Sequence, residues 1–289
     1  MINVYNFLLV HVATWFCIAF IDKLCRHQIN TLHFAYTITM YEVTLSTPTR
    51  HNHLLGYLRN DLQPYFSKIG GTYAILQQKY RSYFSIACDD TFAFQAKRLI
   101  TESVSQVLTL GYKNIFVRNL LDISQSNFYQ NVLVDTMCIF DHVYDAKMVT
   151  HLINVEKDIY LDGYYNFRMQ DFKRKWQNVA NMILENDYVL SDNTLILEFL
   201  QYLLQSVDTK TKQISLCIED NNYDLYDYKN RLLPQSDTMS AFSTPESDVL
   251  VNAIYLNTQK LKVYHHGNLS QDFCDLANAL FQTEFLQVD

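Results

Sequence analysis

Met40-Tyr41-Glu42-Val43-Thr44-Leu45-Ser46-Thr47 reads as a β-strand that opens a compact fold. Pro48 and Thr49 then supply a turn and a helix start, and Leu54, Leu55, Leu58, Leu62 and Phe66 recur at helical spacing up to Gly70-Gly71. Residues 72–88 are rich in aromatic and β-branched side chains around the polar centre Gln77-Gln78-Lys79-Tyr80-Arg81-Ser82, which predicts two paired strands. Asp89-Asp90-Thr91 is a helix-capping sequence, and the apolar residues Phe94, Ile100, Val104, Val107 and Leu108 lead from it to Gly111. Residues 124–140 read as another capped helix.

Farther along, Phe172, Trp176, Val179, Ala180, Ile183 and Leu184 make one helical stripe, with Asp171, Arg174, Lys175 and Asn178 facing elsewhere. A second stripe of Leu195, Ile196, Phe199, Leu200, Leu203, Leu204 and Val207 follows the capping pair Ser191-Asp192. The two helices are expected to pair as an antiparallel hairpin. The period then changes: Ile214, Leu216 and Ile218 alternate with Ser215 and Cys217 ahead of a polar turn, which predicts a β-hairpin. Residues 234–245 read as a loop, and helix 247–256, strand 261–265, helix 271–281 and strand 284–288 complete a small ββαβαβ unit. The expected fold is therefore α+β. It has an apolar extension at 1–39, an N-terminal α/β part at 40–155, a central helical hairpin at 156–210 and an acidic C-terminal α/β part at 211–289.

The whole chain of 289 residues is long enough to bury a sizeable core, and its 49% apolar and 18% charged residues are those of a globular protein. Only 6 Gly and 4 Pro accompany 21 Tyr and 18 Phe, so glycine-built phosphate loops are mostly ruled out, and neither GxxxxGK[ST] nor a nucleophile elbow occurs. A net charge of −7, most of it in the last third of the chain, removes nucleic acid as the default partner. Cys17, Cys25, Cys88, Cys138, Cys217 and Cys274 lie far apart without a CxxC, which reads as reduced core thiols in a cytoplasmic protein. Residues 4–21 are apolar enough to raise a bilayer span, but Asn6, His11 and Thr14 interrupt them and no basic residue precedes them, so a cleaved signal is rejected. Three readings stay open there: a membrane anchor, a buried helix, or an upstream extension of a domain starting near Met40.

The candidate chemistry is sparse. His51 and His53, and the adjacent His265 and His266, have no second half of a metal site and read as surface or capping histidines. Asp141-His142-Val143-Tyr144-Asp145 is an inverted His-Asp dyad lacking a second His/Asp set. Asp220-Asn221-Asn222-Tyr223-Asp224 resembles the start of a calcium loop, but Leu225 stands where Gly is needed and Arg231 where the bidentate Glu should be. Arg168, Lys173, Arg174 and Lys175, interleaved with Phe172 and Trp176, form a basic-aromatic set suited to an anionic partner. No catalytic residue, metal ligand or cofactor is assigned.

The stretch Asp162-Gly163-Tyr164-Tyr165-Asn166-Phe167-Arg168-Met169-Gln170-Asp171-Phe172 resembles the signature EGFIRFRLKDY of the YtxC-like sporulation protein family. The helix at 196–208 is similar to that family's FIRLLRYFV helix, and the C-terminal order of hairpin, helix, strand, helix and strand follows the same family. The resemblance covers roughly 40–288 and rests most on Gly163, Phe167, Arg168 and Phe172, where the family often has Tyr. It implies an association with endospore formation and no assigned reaction or cofactor. The resulting expectation is a non-catalytic interaction or regulatory protein with a protein partner, its candidate residues being Gly163, Phe167, Arg168, Phe172, Arg174 and Lys175. Arg168 is expected to be a buried or half-buried organiser pairing with carboxylates or carbonyls, with partner binding as the alternative. The alternatives are a hydrolase or nucleotide-handling enzyme using the carboxylates and histidine of 141–145, and an adaptor tethered through 4–21.

Overall fold

The computed structural model describes residues 39–123, 127–156, 158–185, 189–206, 211–219, 222–233, 235 and 238–288. Strand β1 (Met40–Pro48) buries Tyr41, Val43 and Leu45 and exposes Glu42 between them, the period-2 pattern of a strand with one face on a core. Helix α1 (Asn52–Lys68) buries the five residues of the expected stripe, Leu54, Leu55, Leu58, Leu62 and Phe66, each contributing about 1.5–3 kcal/mol. The hairpin β2 (Thr72–Gln77) and β3 (Arg81–Asp89) follows, in register from Thr72 opposite Ala87 to Gln77 opposite Ser82. Because β1 is antiparallel to β3 from Met40 opposite Asp89 to Pro48 opposite Arg81, β1 and β2 run parallel with β3 inserted between them, a split βαβ unit.

The next helix departs from expectation. Helix α2 (Ala93–Gln106) starts after Asp89, whose carboxylate accepts the Thr91 amide at 2.9 Å, and buries Ala93, Ala96, Ile100 and Val104. Phe94, expected in that stripe, lies off it and is 81% exposed. The helix does not end at Gly111 but passes through a π-helical turn (Val107–Gly111) into α3 (Tyr112–Leu120). Gly111 serves there as a point of close approach, because a Cβ would collide with Leu54 of α1.

Helix α4 (Phe128–Ile139), capped by the Asn127 side chain on the Tyr129 amide, is the central rod, buried continuously from Asn131 to Ile139. Helix α5 (His142–Val149) packs on α2, and the two-residue strand β4 (Ile159–Tyr160) adds to the first sheet parallel to Leu45 and Ser46, giving the order β2-β3-β1-β4. Short helix α6 (Leu161–Phe167) leaves that edge, followed by α7 (Gln170–Leu184) and α8 (Asn193–Gln205). The expected hairpin of the last two is not how they pack: α7 lies mainly on α3, whereas α8 lies on α4. Their narrow apolar stripes, Trp176, Ala180 and Ile183 on one and Ile196 and Leu200 on the other, are each covered by a different neighbour.

The C-terminal part is the expected ββαβαβ unit: β5 (Thr211–Glu219), β6 (Asn222–Asp227), α9 (Pro245–Tyr255), β7 (Thr258–His265), α10 (Gln271–Leu280) and β8 (Gln282–Gln287). Its sheet order is β6-β5-β7-β8, antiparallel at β5–β6 and parallel elsewhere. Helix α9 begins with a capping box between Thr244 and Ser247 with Pro245 in its first turn, and it is buried nearly all round because it lies between this sheet and α4. Residues 40–289 form one compact unit. No helix among the described residues is long and apolar enough to cross a membrane, and residues 4–21 lie outside them.

Candidate interaction site

The signature segment is α6 with the start of α7. Leu161 is buried, and Tyr165 stacks on the buried Tyr112 of α3 with ring centroids 4.7 Å apart, so two side chains of α6 fix its inner face. Asp162 is gripped by both terminal nitrogens of Arg81 at 2.9 and 2.8 Å, and Arg81 also donates to Ser46 Oγ at 3.1 Å. That fork holds α6 to β1 and β3, raises the pKa of Arg81 through the hydrogen bond to Asp162, and sets the guanidinium 5.3 Å from the Tyr160 ring. Tyr164 completes the anchorage by accepting the Asn154 amide on its hydroxyl at 2.9 Å.

The outer face of α6 is built differently. Tyr160 is 52% exposed and Phe167 80% exposed, with Gly163 between them. A Cβ added at Gly163 would meet nothing closer than Tyr160 Cβ at 3.4 Å. Arg168 follows as the C-cap residue and is exposed, and its guanidinium makes no ion pair or hydrogen bond among the described residues. This corrects the expectation of a half-buried organiser: the arginine that organises the signature is Arg81, from β3.

The remaining candidates divide between packing and pairing. Phe172 is half-buried with its ring 6.3 Å from that of the fully buried Trp176. Lys175 bridges Asp145 at 2.9 Å and Asp141 at 3.2 Å, and Arg174 pairs with Asp171 at 2.5 Å. Lys173 sits over the Tyr165 ring at 3.8 Å, where burial lowers its pKa. The basic-aromatic set therefore does not act as one patch, since two of its cations are neutralised within the chain. The same pairs define Asp141–Asp145: Asp145 is buried and also accepts Trp176 Nε1 at 3.2 Å, while His142 Nδ1 is directed at the Ile139 carbonyl at 2.7 Å. Those groups tie α5 to α7.

His51 stands at the N-cap position of α1 but caps nothing with its side chain, and neither it nor His53 is a surface residue. Both are half-buried where α1 begins, neither makes a cap hydrogen bond, and His51 Nδ1 and His53 Nε2 are buried without a hydrogen-bond partner among the described residues. Burial, then Arg50 and His53, push His51 down to about 4, and burial lowers His53 as well. His265 donates from Nδ1 to the Gly267 carbonyl at 2.6 Å. Asp220 and Asn221 of the calcium-like stretch lie outside the described residues, and Asp227 beyond it is held by Arg231 at 2.6 Å. Cys88 and Cys138 are buried thiols, the latter pushed up to about 12 by burial, Cys217 and Cys274 are half-buried, and Cys17 and Cys25 lie outside the described residues. Among the described residues no group of three or more His, Cys, Asp or Glu is placed to hold a metal.

Sequence reasoning missed a polar cluster in the core. Arg118 of α3 donates to Asn114 Oδ1 at 2.8 Å, Asn131 Oδ1 at 2.7 Å, Asp135 Oδ1 at 2.9 Å and Ser240 Oγ at 3.2 Å, with the Phe242 ring 4.9 Å from the guanidinium. Neighbouring Lys113 is buried and gives its ammonium to the carbonyls of Met137 and Cys138 at the C-terminal end of α4. Burial raises the pKa of Asp135, with Arg118 opposing it, and its Oδ2 has no partner among the described residues. The signal was the recurrence of Asn131 and Asp135 four residues apart inside an apolar helix. A cleft of about 390 Å³ also opens beside the π-helical turn, and its polar lining is engaged: Tyr57 donates to Gln106 at 2.6 Å, and Gln235 to the Tyr223 carbonyl at 2.8 Å. Comparison with protein-family models, with curated proteins and with solved structures gave no match.

Proposed function

We propose that this chain is a non-catalytic interaction or regulatory protein of endospore formation, acting in the cytoplasm and docking a protein partner through the outer face of α6. The process is what the resemblance of 162–172 to the YtxC-like signature implies. The observation that carries the docking reading is Phe167, which stays 80% exposed on a helix already anchored by Leu161, Asp162 and Tyr165. Burying a phenylalanine is worth about 1.5–3 kcal/mol, most of which this fold leaves unused and a partner would gain. Aromatic rings and arginine are also the side chains enriched at the energetic centres of protein interfaces, and here Tyr160, Phe167 and Arg168 are all exposed on α6 or at its ends.

The test is a cross-linking pull-down from sporulating cells with the full chain, comparing wild type with Phe167→Ala and Arg168→Ala after circular dichroism shows all three folded. A discrete partner retained by wild type and lost from both variants is the expected result. Identical partner sets for the three proteins, or none for any of them, would refute the reading.

A further inference from the structure

We propose that two copies of this chain join through strand β2, antiparallel about a two-fold axis at Ile75, so that the first sheet continues from one copy into the other. The surface is the sheet edge opposite β4 and α6, which makes the pairing independent of the docking reading. Unbonded backbone groups select a strand as the occupant. Gln78 donates its amide to the Arg81 carbonyl at 2.9 Å, so by the alternation of an antiparallel ladder Leu76, Ala74 and Thr72 bond to β3, while Tyr73, Ile75 and Gln77 direct their N–H and C=O groups away from it. No strand among the described residues pairs with that side.

The other sheet edges are blunted. Strand β4 is two residues long. Strand β6 carries Asp224 and Asp227 and is bridged through Tyr226 to Leu232, with the Leu233 amide donating to the Leu225 carbonyl at 2.7 Å. Strand β8 carries Glu284. Strand β2 has no charged residue, proline or glycine, and Tyr73 and Ile75 stay 41% and 51% exposed although they lie opposite the core residues Ile86 and Phe84.

The edge is complementary to itself, which selects a second copy. About the axis, Ile75 meets Ile75 of the copy, Tyr73 meets Gln77, and Ala74 meets Leu76, with no like charges opposed. The ends of the strand match too. It starts beside the exposed Asp89 and Asp90, offset only in part by Lys68, and it ends at Lys79, with Arg50 brought near by the Thr49 amide on the Tyr80 carbonyl. Antiparallel pairing lays the basic end of each copy against the acidic end of the other. One six-residue strand makes a small interface, so the association is weak and concentration-dependent.

Sedimentation equilibrium of the full chain over a range of concentrations tests this, with wild type beside Ile75→Lys and Ile75→Glu. We expect wild type to approach twice the monomer mass and each variant alone to dissociate at least tenfold more readily, because like charges then face each other at the axis. An equimolar mixture of the two variants recovers the dimer, since opposite charges meet there. Ile75 is exposed, so the variants keep the wild-type fold, which circular dichroism checks. Ile75→Pro, which deletes the outward N–H and no bond to β3, gives a second loss of dimer. A wild-type chain that stays monomeric throughout, a dimer indifferent to these changes, or a mixture no better than its components overturns the proposal.

Discussion

Two arginines stand beside phenylalanines in this molecule, and the fold treats them in opposite ways. Arg118 is 5% exposed, has hydrogen-bond acceptors on four residues and lies near the Phe242 ring. Arg168 is exposed beside an exposed Phe167 and has no acceptor among the described residues. A buried guanidinium is tolerable only when its donors are matched, so Arg118 marks a place where α3, α4 and the 238–242 segment must meet in one arrangement. An exposed one carries no such requirement. The difference teaches that the central cluster holds the fold, whereas the exposed pair on the rim of the first sheet, the face proposed to dock a partner, is left out of that work.

The comparison is broken most severely at Arg118. Arg118→Ala leaves Asp135 buried without its cation and lowers stability by about 3–5 kcal/mol, measured by urea denaturation of the full chain. Gly111→Ala comes next, at about 1–3 kcal/mol, because the new methyl must displace Leu54 from the core; Leu54→Ala in the same chain restores room and gives a sub-additive loss. Arg81→Ala removes a half-exposed ion pair and costs about 1 kcal/mol, while loosening α6 enough to raise amide exchange over Leu161–Phe167. His51 sharpens the comparison by pH. Its folded pKa of about 4 lies below the ordinary 6.5, so the unfolded chain takes up the proton first; its contribution is full above pH 6.5 and is lost as pH falls toward 4. The melting midpoint should decline over that window, and less steeply in His51→Gln. The smallest effect on stability is at Phe167→Ala, within about 0.5 kcal/mol of wild type.

Elements governed by local pattern were legible in the sequence, and contacts made across the fold were not. The strand at 40–47, the α1 stripe and the ββαβαβ unit follow from side-chain periodicity and capping residues alone. Gly111 read as the end of a helical run because its actual role depends on Leu54, more than fifty positions earlier. Arg168 read as an organiser for a similar reason: the signature's acidic residue, Asp162, finds its partner on β3, which sequence proximity does not reveal. The helical hairpin failed because α7 and α8 are adjacent in sequence but each has its apolar stripe covered by a different helix. Of the candidate site, Gly163, Phe167 and Arg168 were named by resemblance, whereas the exposed Tyr160 emerges only once α6 is seen leaving the sheet edge.

The separation of the two clusters is tested most directly by the thermal midpoint of the Phe167→Ala/Arg168→Ala double variant measured beside Arg118→Ala. The account predicts a double variant within roughly 2 °C of wild type and an Arg118→Ala that melts about 10 °C lower. A double variant that falls as far as Arg118→Ala would mean that the outer face of α6 belongs to the core, and would contradict the account.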